Sequence, residues 1–237
     1  RLLGSIGIML FVFPYLCRNT RLVFHFKEAK ELLKFGMPLI PTLLALWVLD
    51  LSDRFFLQYF RGLSEVGIYS LGYKYASVAS LPIVAFSLAW PQVLLPITKR
   101  PDARKTVGRI FTYFILVTTF MALCLSVFSK DIIRMVATAE FFDASSIVWY
   151  VALGYVFYGG YVFASSGIYI SGKSGSLLVA VGIAAVLNIG LNYILIPHFG
   201  MTGAACATLF CYIIMCLFMW YLSKGNYPIS FEFLRLV

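Results

Sequence analysis

A chain of 237 residues has the length of one or two soluble domains, but its composition excludes them. Apolar residues make up 61% and charged residues 12%, with a formal net charge of +9, against roughly 45–50% apolar and about 25% charged in soluble domains. So little charge cannot cover so much Leu, Ile, Val, Phe and Tyr, and intrinsic disorder is excluded on the same ground. The five cysteines (Cys17, Cys124, Cys206, Cys211, Cys216) are odd in number and lack CxxC spacing, so neither a disulfide framework nor a zinc site is indicated. What remains is an all-α polytopic integral membrane protein.

In chain order, residues 2–17 form an apolar run with Arg18 and Arg21 behind it rather than a cleavage site. That run reads as the truncated end of a preceding transmembrane helix. Residues 18–35 read as a cytoplasmic amphipathic linker: Lys27 and Glu31 pair at i, i+4, and Leu32, Leu33 and Phe35 are left apolar, as suits a short helix on the membrane surface. A bilayer core of ~30 Å asks for ~20 apolar residues per helix. Six stretches within 36–223 qualify: 36–60, 67–97, 110–129, 146–170, 174–196 and 201–222, the last four without a charged residue. Uncharged runs of this length go helical because a spanning helix satisfies its own backbone. Pro82, Pro91 and Pro96 are expected to kink or break 67–97. Residues 224–237 form a tail.

Basic residues orient the spans. Arg18, Arg21, Lys27, Lys30 and Lys34 precede the first complete span. Lys99, Arg100, Arg104, Lys105 and Arg109 follow the second, and Lys173, Lys224 and Arg235 lie on later alternate connections. The opposite connections hold only Arg61, Lys130 and Arg134, so thirteen basic residues face three. The richer side is expected to be cytoplasmic, and the positive charge belongs to a membrane surface rather than to a nucleic-acid footprint.

A charge in hydrocarbon costs at least ~2.5–3.5 kcal/mol on insertion scales, which makes Asp50, Asp53, Arg54 and Lys74 the candidate site. Counted along antiparallel helices, Arg54 and Lys74 both lie about 10 Å below the non-cytoplasmic boundary. A cluster of two plus and two minus charges is expected. It would serve as a helix-locking network, as the lining of a substrate cavity, or as a proton or sodium coupling site. Asn188 and Asn192, at i, i+4 on an apolar helix, are expected to bond across to another helix as packing residues. Gly200, Gly203, Ala204, Ala205 and Ala207 are read as packing only, and Trp47, Trp90, Trp149 and Trp220 as interfacial or core aromatics. There is no Ser/His/Asp order, HExxH, Walker loop or GxGxxG fingerprint, and His25 and His198 fall on opposite sides, so an enzyme is not expected.

Two stretches carry a family resemblance. The first is Leu33-Lys34-Phe35-Gly36-Met37-Pro38-Leu39-Ile40-Pro41, followed by Leu51-Ser52-Asp53-Arg54-Phe55-Phe56-Leu57. The second is Asn188-Ile189-Gly190-Leu191-Asn192-Tyr193-Ile194-Leu195-Ile196-Pro197, then Phe199-Gly200-Met201-Thr202-Gly203-Ala204-Ala205-Cys206-Ala207-Thr208. Over about 28–237 the chain resembles the bacterial polysaccharide transporters typified by O-antigen flippases of the Wzx type. These lie within the superfamily that also holds the multidrug (MATE) exporters and the lipid II flippase. The resemblance implies two six-helix lobes around a cavity, with this chain supplying the second MATE-like lobe and residues 2–17 the end of the first. Tyr227-Pro228-Ile229-Ser230-Phe231-Glu232 resembles the linker before an extra helix pair in longer members. It further implies a multi-pass protein of the bacterial inner membrane that flips polyprenyl-pyrophosphate-linked oligosaccharide by alternating access, without a cofactor but with H⁺ or Na⁺ as a possible coupling ion. The partners would be that glycolipid, the bilayer and the missing N-terminal lobe. Arg54 and Lys74 would hold the phosphates, although Asp50 and Asp53 offset their charge. The alternative is cation-coupled small-molecule efflux of the MATE type, with Asp50 or Asp53 as the coupling carboxylate.

Overall fold

A computed structural model describes residues 7, 9, 12–15, 25–170 and 174–224. The expected preceding span at 2–17 is described only at residues 7, 9 and 12–15, which are helical. Cys17, Arg18, Arg21, Lys173, Arg235 and the motif at 227–232 lie outside the described residues. The chain divides into two compact units, residues 1–34 and 35–237. The charged segment before the spans forms helix α1 (Phe26–Gly36), with Glu28 in its first turn and Lys34 in its last, and none of its residues is buried. Those charges complement the helix dipole, so α1 is stabilised by its own ends rather than by a core.

The larger unit is built from long apolar helices. Helix α2 (Leu39–Arg61) ends at Gly62, whose φ of 90° turns the chain directly into α3 (Leu63–Ala76). A 3-10 turn at Ser77–Ser80 leads to α4 (Leu81–Ile97). Then come α5 (Ala103–Val136), a second 3-10 turn at Ala139–Ala144, α6 (Ser145–Ile170) and α7 (Gly175–Lys224). Five stretches among the described residues are long and apolar enough to cross a bilayer: Phe26–Arg61, Leu63–Ile97, Ala103–Val136, Ala139–Tyr169 and Gly175–Ser223.

The last of these contains two of the expected spans. Its Gly200 has φ 56° and ψ −136°, a conformation outside the helical region. There the chain reverses: a Cβ on Gly203 would lie 2.6 Å from the Leu195 carbonyl oxygen, whereas residues eight apart on a straight helix are separated by about 12 Å. The segments 174–196 and 201–222 are therefore the two arms of one hairpin, joined without a loop.

The expected break in 67–97 falls at the first of its three prolines. The helical run is interrupted only by the 3-10 turn just before Pro82, while Pro91 and Pro96 sit inside α4. At the tighter turn the Ser77 hydroxyl donates to the Lys74 carbonyl at 2.7 Å and the Ser80 hydroxyl to the Ser77 carbonyl at 2.6 Å. These bonds give donors to backbone carbonyls at the tighter turn inside an apolar medium.

Helix α6 is central and packs on α3, α5 and α7, while α2 packs on α7. Ile147, Val148, Val151, Ala152, Phe163, Ala164 and Ile168 of α6 are all essentially buried. Small residues set the closest approaches, as usual where lipid removes the hydrophobic drive between helices. Gly72 of α3 faces the Ala144 carbonyl and the Ile147 side chain, leaving no room for a Cβ. Toward the other end, Phe86, Trp90 and Phe163 stack with centroids 4.9–5.7 Å apart.

Candidate functional site

The site begins with the register between α2 and α3. The two helices descend antiparallel from Gly62, so Tyr69 and Tyr73, one turn apart on α3, meet Asp53 and Asp50 on α2. The Tyr69 hydroxyl donates to Asp53 Oδ2 at 2.6 Å, and the Tyr73 hydroxyl to Asp50 Oδ1 at 2.8 Å. Asp53 shares its helix face with the buried Leu49 and Leu57, and that face packs on α7.

The α7 hairpin completes the carboxylate's surroundings. Asn192 on the first arm donates from Nδ2 to Asp53 Oδ1 at 2.8 Å, and Thr208 on the second arm donates from Oγ1 to Asp53 Oδ2 at 2.7 Å. Asn188 Oδ1 accepts from the Ser52 hydroxyl at 2.5 Å and from Asn192 Nδ2 at 3.0 Å. Asp53, Asn188 and Asn192 are all 0% exposed. Asn192 Oδ1 has no hydrogen-bond donor. The asparagines do bond across helices: Asn192 meets the carboxylate of Asp53, and Asn188 the hydroxyl of Ser52.

The expected four-charge cluster does not form. Arg54 follows Asp53 by one residue and so points about 100° away around the helix. Its guanidinium donates to the Asp50 backbone carbonyl and lies over the Tyr73 and Tyr69 rings, 4.7 and 5.9 Å from their centroids. Lys74 is exposed, one residue round from the buried Tyr73. Among the described residues neither cation forms an ion pair with Asp50 or Asp53. Arg54 stays on the Asp50 side of α2, as their i, i+4 spacing implies, and azimuth separates it from Asp53.

The result is a buried carboxylate with three hydrogen-bond donors and, among the described residues, no ion-pair partner. An uncompensated buried carboxylate costs several kcal/mol even after relaxation (about 3–5 kcal/mol when a partner is lost), so such a group takes up a proton or a cation. Both Asp53 oxygens and Asn188 Oδ1 already accept hydrogen bonds, and Asn192 Oδ1 is left without a donor, so a hard cation, which takes oxygen ligands, would have to displace a donor to reach Asp53. One carboxylate among neutral oxygens matches a single positive charge. Among the described residues no group of three or more His, Cys, Asp or Glu side chains could hold a metal ion.

A cavity of about 540 Å³ opens between α2, α4 and α6, lined by Leu46, Trp90, Tyr158, Tyr161, Ser165 and Tyr169 among others. Trp90 donates to the Ser166 hydroxyl at 2.6 Å and is only 4% exposed, held between Phe86 and Phe163, so it presents no open face for stacking. The inner wall continues through Tyr158 and Tyr155 to Tyr73, with centroids 6.4 and 6.3 Å apart. A chain of phenols thus links the cavity to Asp50. Ser52, Tyr69, Tyr73 and Thr208 escaped the reading of the sequence. The visible signals were the i, i+4 tyrosine pair and the threonine in a run of small residues.

Comparison with known proteins fits this architecture. Residues 1–99 match the family described as "Polysaccharide biosynthesis protein". An uncharacterized membrane protein of Methanocaldococcus jannaschii, MJ1068, is 27% identical over 224 residues, covering 90% of this chain and 43% of that protein. A MOP superfamily transporter from Pyrococcus furiosus superposes with a TM-score of 0.56 at 18% identity, over 87% of this chain and 47% of that one. The chain therefore shares its fold with that part of the Pyrococcus furiosus protein, and it spans a little under half the length of the proteins it matches.

Proposed function

We propose that this chain is the second lobe of a secondary transporter that moves a lipid-linked oligosaccharide across a plasma membrane by alternating access. In this reading a proton or sodium ion at Asp53 is the coupling ion. One observation carries the coupling role: Asp53 is fully buried, accepts three hydrogen bonds and has no ion-pair partner among the described residues. The substrate class is supported by the match of residues 1–99 to a polysaccharide biosynthesis family.

The physical logic joins two neighbouring residues of α2. With a cation at Asp53, α2 and both arms of α7 are held around one neutral node. Without it, the bare carboxylate makes that packing unfavourable. Inverting a two-state equilibrium from 1:99 to 99:1 takes about 5.5 kcal/mol, comparable with what an uncompensated buried charge costs. Arg54, next along the helix, presents its guanidinium toward Asp50 and Tyr73. Arginine binds phosphate oxygens through paired N–H donors, so Arg54, together with the exposed Lys74, would hold the pyrophosphate on this side. The rest of the cavity would come from the half of the protein beyond this chain.

The test is complementation of a flippase-deficient strain by the full-length protein, with surface glycan as readout and membrane abundance as control. Asp53→Asn is expected to abolish export, and Arg54→Ala and Lys74→Ala to reduce it severalfold, with each protein present at normal abundance. Normal glycan in all three variants overturns the reading.

A further inference from the structure

Two connections meet at the end of the helices that is poor in basic residues: the Gly62 turn between α2 and α3, and the Gly200 reversal of α7. Both glycines have positive φ, 90° and 56°. Beside them stand two opposite charges four residues apart, Arg61 in the last turn of α2 and Glu65 in the first turn of α3. Such a pair would ordinarily bond to itself. Here each side chain reaches the α7 reversal instead, and among the described residues no ion pair joins them.

In an unbroken helix the Met201 N–H would donate to the Pro197 carbonyl. The break at Gly200 separates those two groups, and each finds a side chain. Glu65 Oε1 accepts from the Met201 N–H at 2.7 Å. Arg61 donates to the Pro197 carbonyl at 2.9 Å and, through Nε, to the Ile196 carbonyl at 3.3 Å. The signs are those the helix ends require. The first arm of α7 terminates in partly negative carbonyls and receives the guanidinium. The second arm begins with partly positive N–H groups and receives the carboxylate. Gly200 is part of the fit, since a Cβ there would collide with the Glu65 carboxylate.

We infer that Arg61 and Glu65 are positioning residues: an end clasp that sets the axial register of the α2–α3 pair against both arms of α7, and so brings Asn192 and Thr208 to Asp53. The spacing is symmetrical. Asp53 lies eight residues from Arg61, and Asn192 and Thr208 each lie eight residues from Gly200, which puts all three about 12 Å along their helices from the clasp. A slip of one residue is about 1.5 Å. That displacement takes the 2.8 and 2.7 Å bonds from Asn192 and Thr208 to Asp53 out of hydrogen-bond range. The clasp touches neither the carboxylate nor the cavity, and acts only through register. Its importance for transport rests on the coupling role proposed for Asp53; its geometry does not.

The experiment uses the full-length protein in detergent, with native cysteines replaced by alanine. Register is read by the rate of oxidative cross-linking between Asp53→Cys and Thr208→Cys, whose side chains touch in the parent. Amide exchange over 195–204 reads the reversal itself. Arg61→Ala and Glu65→Ala are expected to speed that exchange about tenfold or more, from the loss of charge-assisted bonds, and to slow the cross-link severalfold. Arg61→Lys and Glu65→Gln, which keep a donor and an acceptor, should retain most of both. The exchanged pair, Arg61→Glu with Glu65→Arg, must fail like the alanines, because it sets a carboxylate against carbonyls and a guanidinium against N–H groups. Recovery by the exchanged pair would mean that the two residues serve only each other, and would overturn the clasp. An unchanged cross-linking rate in the alanine variants would remove the positioning role. A wild-type protein indifferent to sodium and protons defeats the coupling reading alone, because both readouts are independent of any ion.

Discussion

Replacing Asp53 by Asn isolates the charge at the buried node. The side chains have nearly the same shape, and the Tyr69 and Thr208 hydroxyls, now 2.6 and 2.7 Å from Oδ2, can still donate to an amide oxygen. The negative charge and the acceptor facing Asn192 Nδ2 at 2.8 Å are lost. If a cation neutralises Asp53, wild-type protein gains RT ln(1 + [L]/Kd), about 2.7 kcal/mol when sodium is a hundredfold above Kd. At about 2–4 °C per kcal/mol for chains of 150–250 residues, that is a rise in Tm of roughly 5–11 °C, with the lower figure apt for a longer parent. The assay is thermal unfolding of the full-length protein in detergent, in sodium chloride against choline chloride at equal ionic strength, repeated across pH. Wild type should rise with sodium or with acid. Asp53→Asn should be flat to both and, in choline at high pH, should melt above wild type, because the uncompensated charge is gone. An Asp53→Asn variant that still rises with sodium would show that the ion binds elsewhere and refute the argument.

Four other outcomes follow from the packing. Gly200→Ala places a Cβ against Glu65 at a φ of 56°, and should cost about 1–3 kcal/mol of stability in a thermal melt. Gly72→Val drives a side chain into the Ala144 carbonyl and Ile147; an overpacking loss of about 1–3 kcal/mol or more should appear as lowered Tm and reduced membrane abundance. Trp90→Phe removes the 2.6 Å bond to Ser166 while keeping an aromatic ring, so a decrease near 1 kcal/mol is expected from the hydrogen bond, with a further small loss from reduced volume. Lys74→Gln, at an exposed position without an ion pair, should leave Tm unchanged within about 0.5 kcal/mol, so any fall in export by this variant reports on substrate.

Much of this fold is legible in the residues themselves. Uncharged runs such as 146–170 can satisfy their backbone in lipid only as helices, and α6 follows as Ser145–Ile170. Helix ends are less legible. The run 110–129 became Ala103–Val136, because charged residues beyond the hydrocarbon do not stop a helix. A break between 174–196 and 201–222 was legible, but the tightness of the reversal was not, since nothing in Phe199-Gly200-Met201 announces a positive φ. At the site, the cost of charge in hydrocarbon singled out Asp50, Asp53 and Arg54, and the i, i+4 spacing singled out Asn188 and Asn192. Their partners depended on rotation about the helix axes and on antiparallel register, which depth counting does not contain. That is why Lys74 was grouped with the cluster while Tyr69 and Thr208 were overlooked.

Helix α5 has 34 residues and so measures about 51 Å. Even at a tilt of 40°, near the steep end for membrane helices, it would span about 39 Å against a hydrocarbon thickness of about 30 Å. Some of it therefore stands outside the hydrocarbon core. Its charged collars fall at Arg104, Lys105 and Arg109 below and Lys130, Asp131 and Arg134 above, with twenty uncharged residues between them, close to 30 Å when upright. The helix acts as a ruler for its lipid. Reconstitution in bilayers with longer acyl chains would drag one collar into hydrocarbon or force the sheet to thin around it, so chain length in the vesicle should tune activity before any side chain is changed.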